Sequence, residues 1–143
     1  MMRMKYSLYS LLILLSFFSV QTQATTWELG EGNIPFFYYE PVYAEYDCEP
    51  NELYISLPQQ FNIQFSDTIE VSFGAQVVTF QVADASTYKD DEGLLLQELV
   101  ITGQDLTSYM VGSDHYMLLP DKRSGVGIPL DRFRDVLSQA CNK

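Results

Sequence analysis

Hydrophobic and polar residues alternate through the middle of the chain. Leu53, Ile55 and Leu57 alternate with Tyr54 and Ser56, and Phe61, Ile63 and Phe65 alternate with Asn62 and Gln64. Ile69, Val71 and Phe73 alternate with Glu70 and Ser72, and Val78, Phe80 and Val82 repeat the pattern. A period of two places one set of side chains on each face of a strand, so four short strands are predicted. The connections Pro58-Gln59-Gln60, Ser66-Asp67-Thr68 and Gly74-Ala75 are short enough for hairpins, and Gly at the first position of a two-residue loop suits a type II′ turn. The pattern therefore predicts an antiparallel meander. With Gly74-Ala75 as the turn, Val71 falls opposite Val78 and Ile69 opposite Phe80, which brings apolar residues together on one face.

Ala83 to Gly93 is polar and turn-like, and a surface loop is expected there. Leu94 to Ile101 is apolar on both faces of a strand but also carries Leu95, Leu96, Leu99 and Val100 at helical spacing; a buried strand is the preferred reading. Thr107 to Val111 and His115 to Leu119 flank Gly112-Ser113-Asp114 as a hairpin would, and Asp121 to Gly125 makes a turn before Val126-Gly127-Ile128. Behind Pro129 the period changes. Leu130, Phe133, Leu137 and Ala140 or Cys141 recur at three- and four-residue spacing, which predicts a closing amphipathic helix. The expected fold is mainly β: an antiparallel meander in a small β-sandwich or barrel, with one C-terminal helix.

Ahead of the regular strands, residues 25–47 interleave Trp27, Phe36, Phe37, Tyr38, Tyr39, Tyr43 and Tyr46 with Glu28, Glu31, Glu40, Glu45 and Asp47. Pro35 and Pro41 lack the donor a central strand must supply, so this segment is expected to be an extended, edge-like arm against the body. Earlier still, Arg3 and Lys5 precede an apolar run from Leu8 to Val20 and then Gln-Thr-Gln-Ala. A run of about 13 residues is short of the roughly 20 that cross a bilayer, and small residues suit cleavage after Ala24. Residues 1–24 read as a signal peptide, and 25–143 as a single exported domain, periplasmic or secreted, with no stable membrane insertion after processing.

Charge narrows the partners. The chain has 8 Lys and Arg against 19 Asp and Glu, and none of those cations lies between Lys5 and Lys89. Nucleic acid is not expected as a partner, because a phosphate backbone must be met by clustered cations. Hydrophobic residues make up 47% of the chain, enough for a core despite the acidity. The two cysteines, Cys48 and Cys141, can pair in only one way, and an even count in an exported chain reads as a structural disulfide. Cys141 shares its helix face with Leu137, which aims its sulfur inward.

No motif names a reaction. His115 stands beside Ser113 and Asp114, but neighbouring residues in a strand face opposite ways, and no GxSxG elbow is present. One histidine and two paired cysteines leave too few soft ligands for a transition metal, and the consecutive Asp90, Asp91 and Glu92 lack the spacing that wraps calcium. No cofactor is expected. The distinctive chemistry is the arm, where Tyr38, Tyr39, Tyr43 and Tyr46 with Glu40 and Glu45 combine flat aromatic surface with negative charge, suited to a cationic protein or a cell-envelope component. The expected role is a non-enzymatic binding or accessory protein. One alternative is an inhibitor of a cationic cell-wall hydrolase such as lysozyme, and another is a small secreted hydrolase using paired carboxylates.

Leu99-Val100-Ile101-Thr102-Gly103 and Gly127-Ile128-Pro129-Leu130-Asp131-Arg132-Phe133, followed by the closing helix, resemble the invasion-associated locus B family of small exported β proteins. The resemblance covers the C-terminal third and implies an exported β-sandwich with a C-terminal helix and no known catalytic residues. Such proteins commonly carry more cysteines, and the N-terminal arm has no counterpart in them. Tyr46-Asp47-Cys48 before a strand is similar to small periplasmic lysozyme inhibitors, although their inhibitory motif is not found here, so no residue roles carry over.

Overall fold

In the computed structural model, which describes residues 26–112, 116–121 and 125–141, the alternating stretches join one antiparallel sheet curled into a half-barrel. Its strands are β1 (Glu28–Leu29), β2 (Pro35–Tyr39), β3 (Val42–Asp47), β4 (Glu52–Pro58), β5 (Thr68–Phe73), β6 (Gln76–Lys89), β7 (Leu95–Thr102), β8 (Tyr116–Leu119) and β9 (Val126–Pro129). Two helices, α1 (Leu106–Gly112) and α2 (Phe133–Cys141), complete it. The spatial order is β1-β2-β3-β4-β7-β6-β5-β8-β9. The fold is thus mainly β and antiparallel with a C-terminal helix, as the pattern predicts. The stretch 1–24, expected to be a signal peptide, and the Ser113-Asp114-His115 group lie outside the described residues.

The concave face collects the apolar set. Phe37, Ala44, Ile55 and Leu99 stand in register across four strands, and Tyr46, Leu53 and Ile101 across three. Ile69, Val71, Met117 and Ile128 extend the core over the other half of the sheet, and both helices lie in it, through Leu106 and Met110 of α1 and Phe133 and Val136 of α2. The β5–β6 hairpin pairs Val71 with Val78 and Ile69 with Phe80, the register expected from the Gly74-Ala75 turn, with Gly74 at φ 66°. The ambiguous run at Leu94 to Ile101 resolves as strand from Leu95 onward, its Leu99 and Ile101 inward. Cys48, just past β3, is joined to Cys141 at the end of α2, with Cα atoms 5.6 Å apart.

Several expectations are corrected. The segment expected to be an arm, described from residue 26 to 47, is no arm: it supplies β1, β2 and β3, and β3 is flanked on both sides. Pro35 is the first residue of β2, opposite Leu29 of the two-residue β1 and ahead of the β2–β3 pairing that begins at Phe36, and Pro41 sits in the β2–β3 turn, so neither proline falls in the middle of a ladder. Phe61 to Phe65 is not a strand. A 3-10 turn at Gln59–Phe61 is closed by Asn62 at φ 55°, and Ile63 alone is fully tucked into the core. Ala83 to Lys89, expected as loop, prolongs β6 as a β-ribbon with β7; its polarity reflects exposure, with only Ser86 and Tyr88 partly buried. Thr107 to Val111 lies in α1, because Leu106 and Met110, four residues apart, are the pair that reaches the core. The closing helix begins at Phe133, and Pro129 ends β9 instead of starting the helix.

Candidate functional site

The convex face of a sheet ordinarily faces water, yet here its centre is a second, smaller core. Because β2, β3, β4, β7 and β6 are in register, Tyr38, Tyr43, Ser56, Glu98 and Ser86 form one row across five strands. The adjacent row is Phe36, Glu45, Tyr54, Val100 and Asp84. Tyr43 packs against Phe36 at 6.3 Å, Tyr38 at 6.4 Å and Tyr54 at 6.3 Å, all within the range of favourable ring contacts.

Two carboxylates are buried beneath these rings, Glu45 at 7% exposure and Glu98 at 4%. A buried carboxylate is costly unless donors reach it, and tyrosine hydroxyls supply them. Tyr43 Oη donates to Glu45 Oε1 at 2.5 Å, Tyr54 Oη donates to Glu98 Oε2, and Ser86 Oγ donates to Glu98 Oε1 at 3.2 Å. Burial pushes the Tyr54 hydroxyl far above its ordinary pKa, and the hydrogen bond to Glu98, that carboxylate's charge and nearby Tyr88 push the same way. Tyr38 is raised by burial and then by the charge of Glu40. The arrangement sets two carboxylates under an aromatic cover, with the Tyr43 and Tyr54 hydroxyls as their donors.

The sequence-predicted residues divide between locations. Tyr38 is half-buried in the outer row, while Tyr39, at 51% exposure, and Glu40 are exposed at the β2–β3 turn. Tyr43 and Glu45 belong to the outer face but lie beneath its surface. Tyr46 belongs to the interior: it bonds Asn51 and Thr107 and meets Phe133 edge-on at 5.6 Å, so it offers nothing to a partner. Burial and then the charge of Asp47 raise its hydroxyl, against a lowering by the Thr107 bond. Tyr54, Glu98 and Ser86 were not singled out from the sequence. The signal available was Glu98 itself, one acid inside an apolar run, which marks an outward face bearing a purposeful polar group.

The β2–β3 turn and the β6–β7 hairpin project from the same end of the sheet, since the Tyr38 row meets Ser86 and the ribbon continues past it to Lys89. Asp90, Asp91 and Glu92 form the hairpin tip. Asp90 is engaged locally, accepting from the backbone N–H groups of Glu92 and Leu94, each at 2.9 Å. Among the described residues no group of three or more His, Cys, Asp and Glu is placed to hold a metal ion, and no helix is long and apolar enough to cross a membrane. No protein-family model matches the sequence, no curated protein is similar to it, and no solved structure is similar to its fold.

Proposed function

We propose that the protein is exported, cleaved after Ala24, and acts as a non-enzymatic binding module whose outer sheet face engages a cationic macromolecule of the cell envelope. One observation carries this reading: two adjacent rows of aromatic and polar residues, each with one buried carboxylate, run across five strands, and three of those strands, β2, β3 and β4, come from the stretch between Lys5 and Lys89 that has no Lys or Arg. Such a face presents a negative field with rigid ring surface, which attracts basic side chains by charge and holds them by cation–π contact. The concave face is filled by the two helices and by packed side chains, so recognition falls to the outer surface. The resemblance of the C-terminal third to invasion-associated locus B proteins supports export in the same direction.

The test is affinity capture from an envelope extract with the processed, oxidised protein, at low and high salt, beside the variant Tyr38→Ser, Tyr39→Ser, Glu40→Gln. A basic partner retained only at low salt and lost by the variant is expected. Inhibition of a basic lysozyme in the same salt-sensitive way would make the partner a cell-wall hydrolase. Equal capture by the variant would remove the face from the reading, and turnover of a glycoside substrate abolished by Glu98→Gln would replace binding with catalysis.

A further inference from the structure

We infer that the open edge of β6, from Ala83 to Lys89, is a docking rail on which an extended cationic segment of a partner protein adds a strand to the sheet. The inference rests on the cationic-partner reading above and adds the place and the mode of contact.

β6 is paired on one side with β7 along its distal half, from Gln81 to Lys89, but on the other side β5 reaches only from Gln76 to Gln81. Val82 N–H still finds the carbonyl of Asp67 at 2.9 Å. Beyond it, no described strand lies along that side. An unpaired strand edge presents backbone donors and acceptors in a row, a template for another chain, and folded proteins ordinarily blunt such edges with proline, with lysine or by keeping them short. The other sheet margins follow that practice: β1 has two residues, and β9 ends in Pro129, whose carbonyl is occupied by Trp27 Nε1 at 2.7 Å. β6 does not. It contains neither Pro nor Gly, and its one lysine is its last residue. Ala85 N–H donates to the carboxylate of Asp84 at 2.9 Å, so a side chain accepts where a neighbouring strand's carbonyl would.

The same edge terminates the aromatic and acidic rows. Asp84 and Ser86 are their last members, and Tyr88 lies one step further on the same face. A strand laid along β6 would set alternate side chains beside Asp84, Ser86 and Tyr88, where Lys or Arg finds a carboxylate and a ring. Asp90, Asp91 and Glu92 at the tip add charge of the same sign. A second copy of this chain would bring those acids towards its own, so a basic segment is the occupant that fits.

The experiment titrates the processed, oxidised protein at low salt with acetyl-Lys-Thr-Lys-Val-Lys-Thr-Lys-Val-amide and with the same peptide methylated on every backbone nitrogen, which keeps the charge and removes the donors. Amide exchange across residues 83–89 should slow by about tenfold with the first peptide. The methylated peptide should bind weaker by about tenfold or more. Equal affinity of the two peptides, or protection confined to residues 36–43, would overturn strand addition while leaving a cationic partner for the outer face. Failure of both peptides to bind would also overturn it, and the capture experiment would then decide the broader reading on its own.

Discussion

Trp27 Nε1 donates to the carbonyl of Pro129 at 2.7 Å, joining the start of the described chain to the last strand. The backbone N–H of Trp27 donates to Asp131 at 3.1 Å as well, and the indole meets Phe133 edge-on at 4.9 Å. The two margins of the curled sheet are thereby tied through one residue with no strand pairing between them. A side chain that also packs on α2, rather than a ladder, links the two margins.

Trp27→Phe keeps the ring against Phe133 and removes the donor to Pro129. The loss should be about 1–2 kcal/mol, and Trp27→Ala, which also empties a fully buried site, should cost about 3–5 kcal/mol. Urea unfolding measures both. A Phe variant as destabilised as the Ala variant would place the whole effect in the hydrogen bond, against the packing argument.

Cys48 and Cys141 connect the end of β3 to the last residue of α2 across 93 positions of chain. Closing so long a loop restricts the unfolded chain, and the double variant Cys48→Ser, Cys141→Ser should lose about 2–5 kcal/mol. Because the bond anchors α2 over Trp27 and Tyr46, the loss should appear in amide exchange first along α2. An unchanged melting temperature under oxidising conditions would show that helix packing alone holds this corner.

What was readable in the sequence was local. Gly74-Ala75 set a turn, and with it the pairing of Ile69 with Phe80; the change of period behind Pro129 announced the closing helix. Long-range order was not readable. Period two says that Ile55 and Leu99 each face a core but not that they are neighbours, which requires β7 to pass between β4 and β6. Composition misled where burial and conformation part company: aromatic and proline content made β2 and β3 look like an arm, and polarity made the exposed end of β6 look like a loop. The outer site was half visible for the same reason. Tyr38 and Tyr43 were grouped with Tyr46 by closeness in sequence, yet odd spacing sends Tyr46 to the opposite face, while Tyr54 and Glu98 come from strands far along the chain.

Tyr54 gives the outer face a pH signature. Its hydroxyl ionises near 10.0 when exposed, and burial followed by the bond to Glu98 raises it in the folded protein. A raised folded pKa means that its contribution is complete below about pH 10 and is lost as pH rises past that point, because the unfolded chain releases the proton first. Unfolding free energy should therefore fall above pH 10, at up to about 1.4 kcal/mol per pH unit for one such group. Tyr38 and Tyr46 act in the same direction. Tyr54→Phe should flatten this slope between pH 10 and pH 11, and an identical slope in the variant would show that the Tyr54–Glu98 pair is not retained in solution.

Gly103 lies where β7 hands over to α1, and its lack of a side chain is required by one neighbour. A Cβ built there would stand 2.7 Å from Phe80 Cδ1. That ring has little room to yield, since Phe73 and Tyr109 each contact it edge-on at 6.2 Å and stack on one another at 5.4 Å. Gly103 also accepts from Leu106 N–H at 3.2 Å and from Asn51 Nδ2 at 3.3 Å, which holds the backbone in place from two sides. Gly103→Ala should therefore cost about 1–3 kcal/mol and speed amide exchange in α1 before the rest of the sheet. Gly112→Ala, at the other end of that helix with nothing within 4 Å of the new methyl, should stay within about 1 kcal/mol of the parent. If both glycine variants unfold at the parent's urea midpoint, the Phe73–Phe80–Tyr109 cluster is more yielding than its packing implies, and α1 is not held on the sheet by those rings.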